Sequence, residues 1–387
     1  MNMRIGVNTL FMVPGDVGGT ETFLRQTLQA LAEHHPECTL VLFTSLDNHA
    51  IFRGDLSRFP QVEYVQLRFA ARNRPLRIIL EQLLLPLAVA RARLDGLWSP
   101  GYTAPCWVPC LQAVTIPDLQ YKSFPEDMGG FERLVLDCLV RMACRRSAMV
   151  LTISEFSRQE VLRFGFASPE KVRPVLLGVD SSFATPQPPE GVRATVCRYI
   201  PAEKPYILCV AHTYPHKNVN VLVEAFALVA DRIEHSLVVL GRPRRGEPEV
   251  LAAESGLRDQ KRYIRLASGV PFSDLQQLYQ GADLFVLPSA YEGFGLPVLE
   301  AMMSGVPVVT TRLGSLPEVA GDTVHYIESI TAECLAAKIL EVVNMHKEDR
   351  DRLVAVAHQR ATTFTWQRTA DGMKQAFTAL RGNSSYG

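Results

Sequence analysis

A chain of 387 residues is too long for one ordinary hydrophobic core and suits two domains of about 150–200 residues each. Apolar residues make up 47% and charged residues 21%, the balance of a soluble globular protein. Forty basic residues against forty acidic ones leave no net field, which argues against nucleic acid and confines any anion site to a local cluster. Eight cysteines (38, 106, 110, 138, 144, 197, 209 and 334) show no Cys-x-x-Cys pair and no zinc spacing. Free thiols in a reducing, cytoplasmic setting are expected. The opening MNMRIGVNTLF reads as a first strand rather than a signal peptide. No run approaches about 18 uninterrupted apolar residues, the length that would span a membrane.

In chain order, a strand at 3–9 leads through a loop with Gly15, Gly18 and Gly19 into a helix at 20–33 and a strand at 39–43. Residues 68–93 are basic and apolar: Arg68, Arg72, Arg74 and Arg77 precede a leucine-rich stretch, and Arg91 and Arg93 follow it. The preferred reading is a core pair of helices broken at Pro86. Its alternative is peripheral contact with an anionic membrane surface, which would suit a lipid-carried substrate. Short apolar runs at 94–98, 113–116 and 149–153 read as further strands, and Ser154 as the cap of the next helix, with Ser157 where a capping box would place Glu. Residues 181–204 carry Pro186, Pro188, Pro189, Gly191 and Pro201 and read as a linker.

The rhythm then restarts with strands at 206–210, 236–240, 263–266, 283–287 and 306–310 and a helix at 219–229. Strands alternating with helices imply two α/β domains, each a doubly wound parallel sheet. Such sheets collect ligands at the carboxyl ends of their strands.

The most informative stretch follows the strand at 283–287. Glu292-Gly293-Phe294-Gly295-Leu296-Pro297-Val298-Leu299-Glu300 is a glycine loop entering a helix, framed by two carboxylates. Glycines there let backbone N–H groups approach a ligand. Glu300 is expected in the first turn, where the helix dipole favours an ionised carboxylate. In the second half's first loop, Pro215-His216-Lys217 puts a lysine at a helix entrance, a natural diphosphate site.

Residues 279–322, YQGADLFVLPSAYEGFGLPVLEAMMSGVPVVTTRLGSLPEVAGD, resemble the Glu-x7-Glu region of retaining glycosyltransferases of family 4, the glycosyl transferases group 1. The resemblance implies the GT-B fold, two Rossmann-like domains facing across a cleft. Residues 1–180 would be the acceptor-side domain, 181–204 the linker and 205–365 the nucleotide-sugar domain. Residues 366–387 would form a helix crossing back to the first domain. Glu300 would hold the ribose hydroxyls. Glu292 would face the transferred sugar beside Gly293 and the Phe294, Gly295 and Leu296 backbone. Lys217 would bind the diphosphate with His216 in place of the usual arginine. Gly18 and Gly19 would lie against phosphate and acceptor, Gly241 would allow a close backbone approach, and 267–270, through Gly269 and Val270, would meet the nucleobase.

Where many relatives carry a His-Asp pair this chain has Pro117-Asp118. Either Asp118 or a backbone carbonyl takes over the histidine's role, or the donor is a 6-deoxy sugar such as rhamnose. The implied reaction is hexosyl transfer with retention from a nucleotide-diphosphate sugar, GDP-mannose or a GDP-linked deoxy sugar preferred. A glycan or lipid-linked acceptor of surface polysaccharide or lipopolysaccharide synthesis would receive the sugar. No Asp-x-Asp motif with supporting ligands is present, so no metal and no cofactor beyond the co-substrate is expected. A silent nucleotide-sugar-binding subunit, a sugar-nucleotide epimerase and a two-domain oxidoreductase are the rival classes. The missing dinucleotide fingerprint disfavours the last.

Overall fold

The structure is a computed structural model and describes residues 3–15, 18–200, 205–267 and 269–383, Asn383 by its backbone alone. Its chain divides into two compact units, Met1–Gly178 with Trp366–Gly387, and Val179–Thr365.

The first unit is built on seven parallel strands: β1 (Met3–Asn8), β2 (Cys38–Thr44), β3 (Val62–Gln66), β4 (Gly96–Ser99), β5 (Leu111–Thr115), β6 (Met149–Thr152) and β7 (Val172–Pro174). Their order is β3-β2-β1-β4-β5-β6-β7, so the chain reverses direction across the sheet between β1 and β4. Side chains alternate across each strand. Trp98 of β4 meets Phe23 of the helix Gly19–His34 edge-on at 5.9 Å and Phe377 of the helix Trp366–Asn383 at 6.4 Å. Its indole N–H donates to Thr115 Oγ1 at 2.8 Å. Its neighbour Leu97 lies in a cluster with Val41, Phe43 and the helical Leu85, Ala88 and Val89. The last helix is held to this unit by Thr369 Oγ1 donating to Leu176 O at 2.8 Å and by a Lys374–Glu37 ion pair.

Pro86 does not break residues 68–93 into two helices; Arg74–Ala92 is one helix running through it. An interior proline costs about 3 kcal/mol in lost hydrogen bonding and sterics. Burial of Leu85, Ala88 and Val89 on either side of it offsets that cost. Ser154 does cap the following helix, its Oγ accepting from Ser157 N at 3.0 Å.

The second unit repeats the plan with six parallel strands: β8 (Tyr206–Val210), β9 (Ser236–Leu240), β10 (Tyr263–Leu266), β11 (Leu284–Leu287), β12 (Val308–Thr311) and β13 (His325–Ile327). Their order is β10-β9-β8-β11-β12-β13, with the reversal between β8 and β11. These inner strands are almost wholly buried, as sheets covered on both faces require.

The expected linker is a correction. Residues 189–199 form a helix packed on the helix Phe272–Gln280, with Tyr199 Oη donating to Asp274 Oδ2 at 2.6 Å. Gln280 Nε2 donates to the carbonyls of Phe183 at 3.1 Å and Thr185 at 2.8 Å, tying the preceding turn to the same unit. Pro189 opens that helix rather than preventing it, because the first helical N–H needs no partner. Pro201 and Lys204, at the end of the expected linker, lie outside the described residues.

Candidate active site

Three loops converge at the carboxyl ends of β8 and β11. After β8, Pro215–Lys217 makes one 3-10 turn and Asn218 takes a left-handed φ of 52° before the helix Val219–Val229. Asparagine tolerates that backbone, and its Nδ2 donates to Pro288 O at 3.0 Å in the loop after β11. Ala290 N donates to His216 O at 2.7 Å, a second tie between the two loops. Lys217 is thereby delivered to the acidic loop from the neighbouring strand. Its Nζ donates to Glu292 Oε1 at 2.6 Å, and Ser289 Oγ donates to the same oxygen at 2.8 Å. Both charged side chains are largely buried.

The loop after β12 fixes the Glu292 backbone. Ser315 donates to Glu292 O through N at 3.1 Å and through Oγ at 2.9 Å. Between β12 and Ser315, Gly314 has φ +63°, and a Cβ there would stand 2.7 Å from Glu292 N and 2.8 Å from Glu292 O. Only glycine admits this approach.

Glu300 is the fifth residue of the helix Leu296–Met303, not in its first turn. The expected stabilisation of its charge by the helix dipole is therefore replaced by the opposite effect. Burial pushes its carboxyl up to about 7, and the nearby Asp180 carboxylate adds to the rise. A hydrogen bond from Tyr279 Oη to Oε2 at 2.9 Å opposes both.

A local electropositive field surrounds the end of β8. His212 Nδ1 accepts from Arg242 N at 3.0 Å. Burial, with the Arg244, Arg242 and Lys217 charges behind it, pushes this imidazole down to about 4 and leaves it neutral at physiological pH. Gly241, at the end of β9, packs directly on the β8 loop: a Cβ would lie 1.9 Å from Ala211 O and 2.4 Å from its carbon. Gly241→Ala is therefore expected to cost more than about 2 kcal/mol of stability by forcing backbone apart, a loss that a thermal melt reads directly.

Lys217, Glu292 and the neighbouring Gly293, Phe294, Gly295 and Leu296 are thus brought together with His216 and Gly241 at the strand ends, and Glu300 follows one turn into the helix. His216 is buried, stacked on Tyr214 at 5.7 Å, and contributes its carbonyl to the loop tie. Phe294 is buried against Phe364, with ring centroids 6.0 Å apart. Gly269, at φ +85°, and Val270 follow β10, on the far side of β9; Ser268 lies outside the described residues.

Gly18, Gly19 and Asp118 belong to the first unit. Gly18 precedes the helix Gly19–His34, and the loop is closed by Gly15 N donating to Glu21 Oε2 at 2.7 Å. Asp118 Oδ1 accepts from Tyr102 Oη at 2.8 Å and Gln120 N at 3.1 Å, and Pro117 O accepts from Ser157 Oγ at 2.6 Å.

Sequence reasoning missed Ser289, Gly314, Ser315, Tyr279 and Asn218, whose contributions are contacts between loops distant in sequence. It also missed Glu81, fully buried on the helix Arg74–Ala92 with Oε1 accepting from Asn8 Nδ2 at 2.8 Å. Burial raises this carboxyl as well.

Two doubly wound parallel sheets, with this site at the strand ends of the second, define the GT-B class of fold. Residues 198–360 match the family model described as Glycosyl transferases group 1. Among curated relatives, the O-antigen chain mannosyltransferase B of Escherichia coli is 34% identical over 60% of this chain and 61% of its own length. The MMP alpha-(1->4)-mannosyltransferase of Mycolicibacterium hassiacum is 33% identical over 59% of this chain and 54% of its own length. The matched region thus spans little more than half of these relatives. Of solved structures, a sucrose-phosphate synthase from Thermosynechococcus elongatus matches with TM-score 0.78 at 18% identity, covering 98% of this chain and 100% of that one. HepE of Anabaena in complex with UDP and glucose matches with TM-score 0.75 at 18% identity over 97% and 100%. At these identities the likeness is one of fold.

Proposed function

We propose that this chain is a retaining hexosyltransferase that moves mannose or a 6-deoxy sugar from a nucleotide-diphosphate donor to a glycan or lipid-linked acceptor of a surface polysaccharide. The observation that carries the reading is the Lys217–Glu292 pair at the β8/β11 reversal with Glu300 one turn into the adjoining helix. A cation beside exposed helix N–H groups suits a leaving diphosphate, and carboxylates suit sugar and ribose hydroxyls. The two mannosyltransferase relatives support mannose, and hence GDP-mannose among donors. HepE, similar in fold and solved with UDP and glucose, supports a nucleotide-sugar site while leaving the base to experiment. Eight cysteines, all free, suit a reducing cytoplasm.

In this reading the diphosphate departs toward Lys217, whose charge and the neighbouring helix N–H groups offset the developing negative charge. The acceptor hydroxyl attacks from the same face, and a leaving phosphate oxygen takes its proton. Glu292, held by Lys217 and Ser289, orients the sugar and forms no covalent bond to it. Asp118, Gly18 and Gly19 serve the acceptor side in the first unit. Pro117 removes the imidazole that would meet a C6 hydroxyl, which favours a 6-deoxy donor if neither Asp118 nor a backbone carbonyl replaces it.

The test is turnover of GDP-mannose, GDP-rhamnose and their UDP and dTDP counterparts with mannosylated acceptors, the anomer of the product read by NMR. Retention with at least one donor is expected. An inverted product contradicts the mechanism, and release of an epimerised nucleotide sugar without acceptor favours the epimerase.

A further inference from the structure

The first unit exposes large apolar side chains on two helices and the loop between them. On the helix Arg74–Ala92, Leu76, Ile79, Leu83, Leu84 and Leu87 are exposed, Leu83 at 61%. At 3.6 residues per turn they fall within an arc of about 140°, opposite the face that buries Leu85, Ala88 and Val89. The helix Gly130–Arg146 exposes Phe131 at 82%, Leu134 and Val135, again on one side. Trp107, between β4 and β5, is 68% exposed.

These three features form one surface. Arg74 pairs with Glu132 at 3.4 Å, joining the starts of the two helices. Further along, Gln82 Nε2 donates to Ala104 O at 3.2 Å and its Oε1 accepts from Cys106 N at 2.8 Å. Cys106 Sγ in turn lies 3.0 Å from Met142 Sδ. The loop carrying Trp107 therefore bridges the two helices.

Exposed arginines fringe the surface at both ends: Arg68 and Arg72 at one, Arg91, Arg93, Arg145 and Arg146 at the other. Among the described residues Arg68, Arg91, Arg93, Arg145 and Arg146 have no acidic partner within ion-pair distance. In a chain of zero net charge this is a local concentration of unneutralised positive charge. Among the described residues no helix is long and apolar enough to cross a membrane. Apolar faces rimmed by arginine, on helices that cannot span, fit the interface of an anionic bilayer, where leucine, phenylalanine and tryptophan enter the headgroup boundary and arginines meet lipid phosphates.

We propose that the helices Arg74–Ala92 and Gly130–Arg146, with Trp107 between them, form a docking surface for an anionic lipid bilayer. The proposal extends the sequence expectation from one segment to three and stands without the glycosyltransferase reading. The unpaired arginine fringe complements the phosphates of an anionic bilayer directly, whereas a protein partner would have to supply a matching ring of acids.

Co-sedimentation of the full chain with phosphatidylcholine vesicles, with and without about 30% phosphatidylglycerol, tests it. Binding is expected only to the anionic vesicles, weakening as salt is raised. Leu83→Glu combined with Phe131→Glu is expected to lower partitioning more than tenfold without shifting the melting temperature, since both side chains are exposed. Trp98 is buried and Trp366 half-buried, so a blue shift of tryptophan emission on binding reports Trp107 and disappears in Trp107→Phe. Wild-type protein that stays in the supernatant with anionic vesicles overturns the proposal. So does undiminished binding by the double variant, or a vesicle-indifferent dimer that the double variant dissociates, which would make a second copy the occupant.

Discussion

Glu292→Gln will lower sugar transfer by at least about 100-fold while tightening binding of the bare nucleoside diphosphate several-fold. The two effects have opposite sign because, in the proposed function, Glu292 both holds Lys217 and orients the transferred sugar. In the ligand-free site its Oε1 accepts the Lys217 ammonium at 2.6 Å, so an arriving diphosphate competes with a carboxylate already in place. A neutral amide keeps the Ser289 hydrogen bond and releases the cation, while the transferred sugar loses its charged partner. Lys217→Ala is predicted to weaken both diphosphate binding and transfer. It would also cost about 3–5 kcal/mol of stability, because among the described residues a largely buried carboxylate then keeps only the Ser289 hydroxyl as side-chain partner. Titration calorimetry with nucleoside diphosphate and a thermal melt separate the outcomes. If Glu292→Gln leaves diphosphate affinity unchanged, the ion pair is purely structural.

The second large effect is on pH dependence and belongs to Glu300. Its carboxyl titrates near 7 in the folded chain against about 4.5 when exposed, so the folded state binds more protons across that interval. Stability of the ligand-free protein should therefore fall as pH rises from about 4.5 to 7, by up to about 3 kcal/mol, and level off above. Glu300→Gln should remove that slope. With Glu300 on the ribose, as proposed, the hydroxyls donate to the ionised form, so donor affinity in the wild type should rise with pH and flatten above about 7. Binding below that pH should release a proton, which calorimetry detects in buffers of different ionisation enthalpy. A wild-type donor affinity that does not change between about pH 6 and 8 would refute the ribose assignment, the interval being about one unit either side of the shifted value.

Much of the second unit was legible because its inner strands are buried on both faces and read as largely apolar runs: 206–210, 236–240 and 284–287. The edge strands β3, β7 and β13 escaped notice. Val62–Gln66 shows only partial burial, and the other two have three residues each. Proline misled twice, at Pro86, where packing outweighs the break, and at Pro189, where it starts a helix.

Glu292, Glu300 and Lys217 could be named from their strand–loop–helix setting, but their electrostatics could not. The raised Glu300 carboxyl follows from a helix that starts at Leu296 and from burial, and the sequence pattern suggested the reverse. Ser289, Gly314 and Ser315 were invisible for a different reason. They shape Glu292 through contacts with its side-chain oxygen and backbone, and such roles leave no spacing to recognise.

The central claim is that the second unit binds a nucleotide sugar with Glu300 on the ribose. A thermal-shift screen of GDP-, UDP-, dTDP- and ADP-sugars against wild type and Glu300→Ala tests it most directly, since a ligand bound only by the folded state raises the melting temperature. One nucleotide class, GDP by preference, is predicted to stabilise the wild type by several degrees and the variant hardly at all. Equal stabilisation of both proteins, or none by any nucleotide sugar, would contradict it.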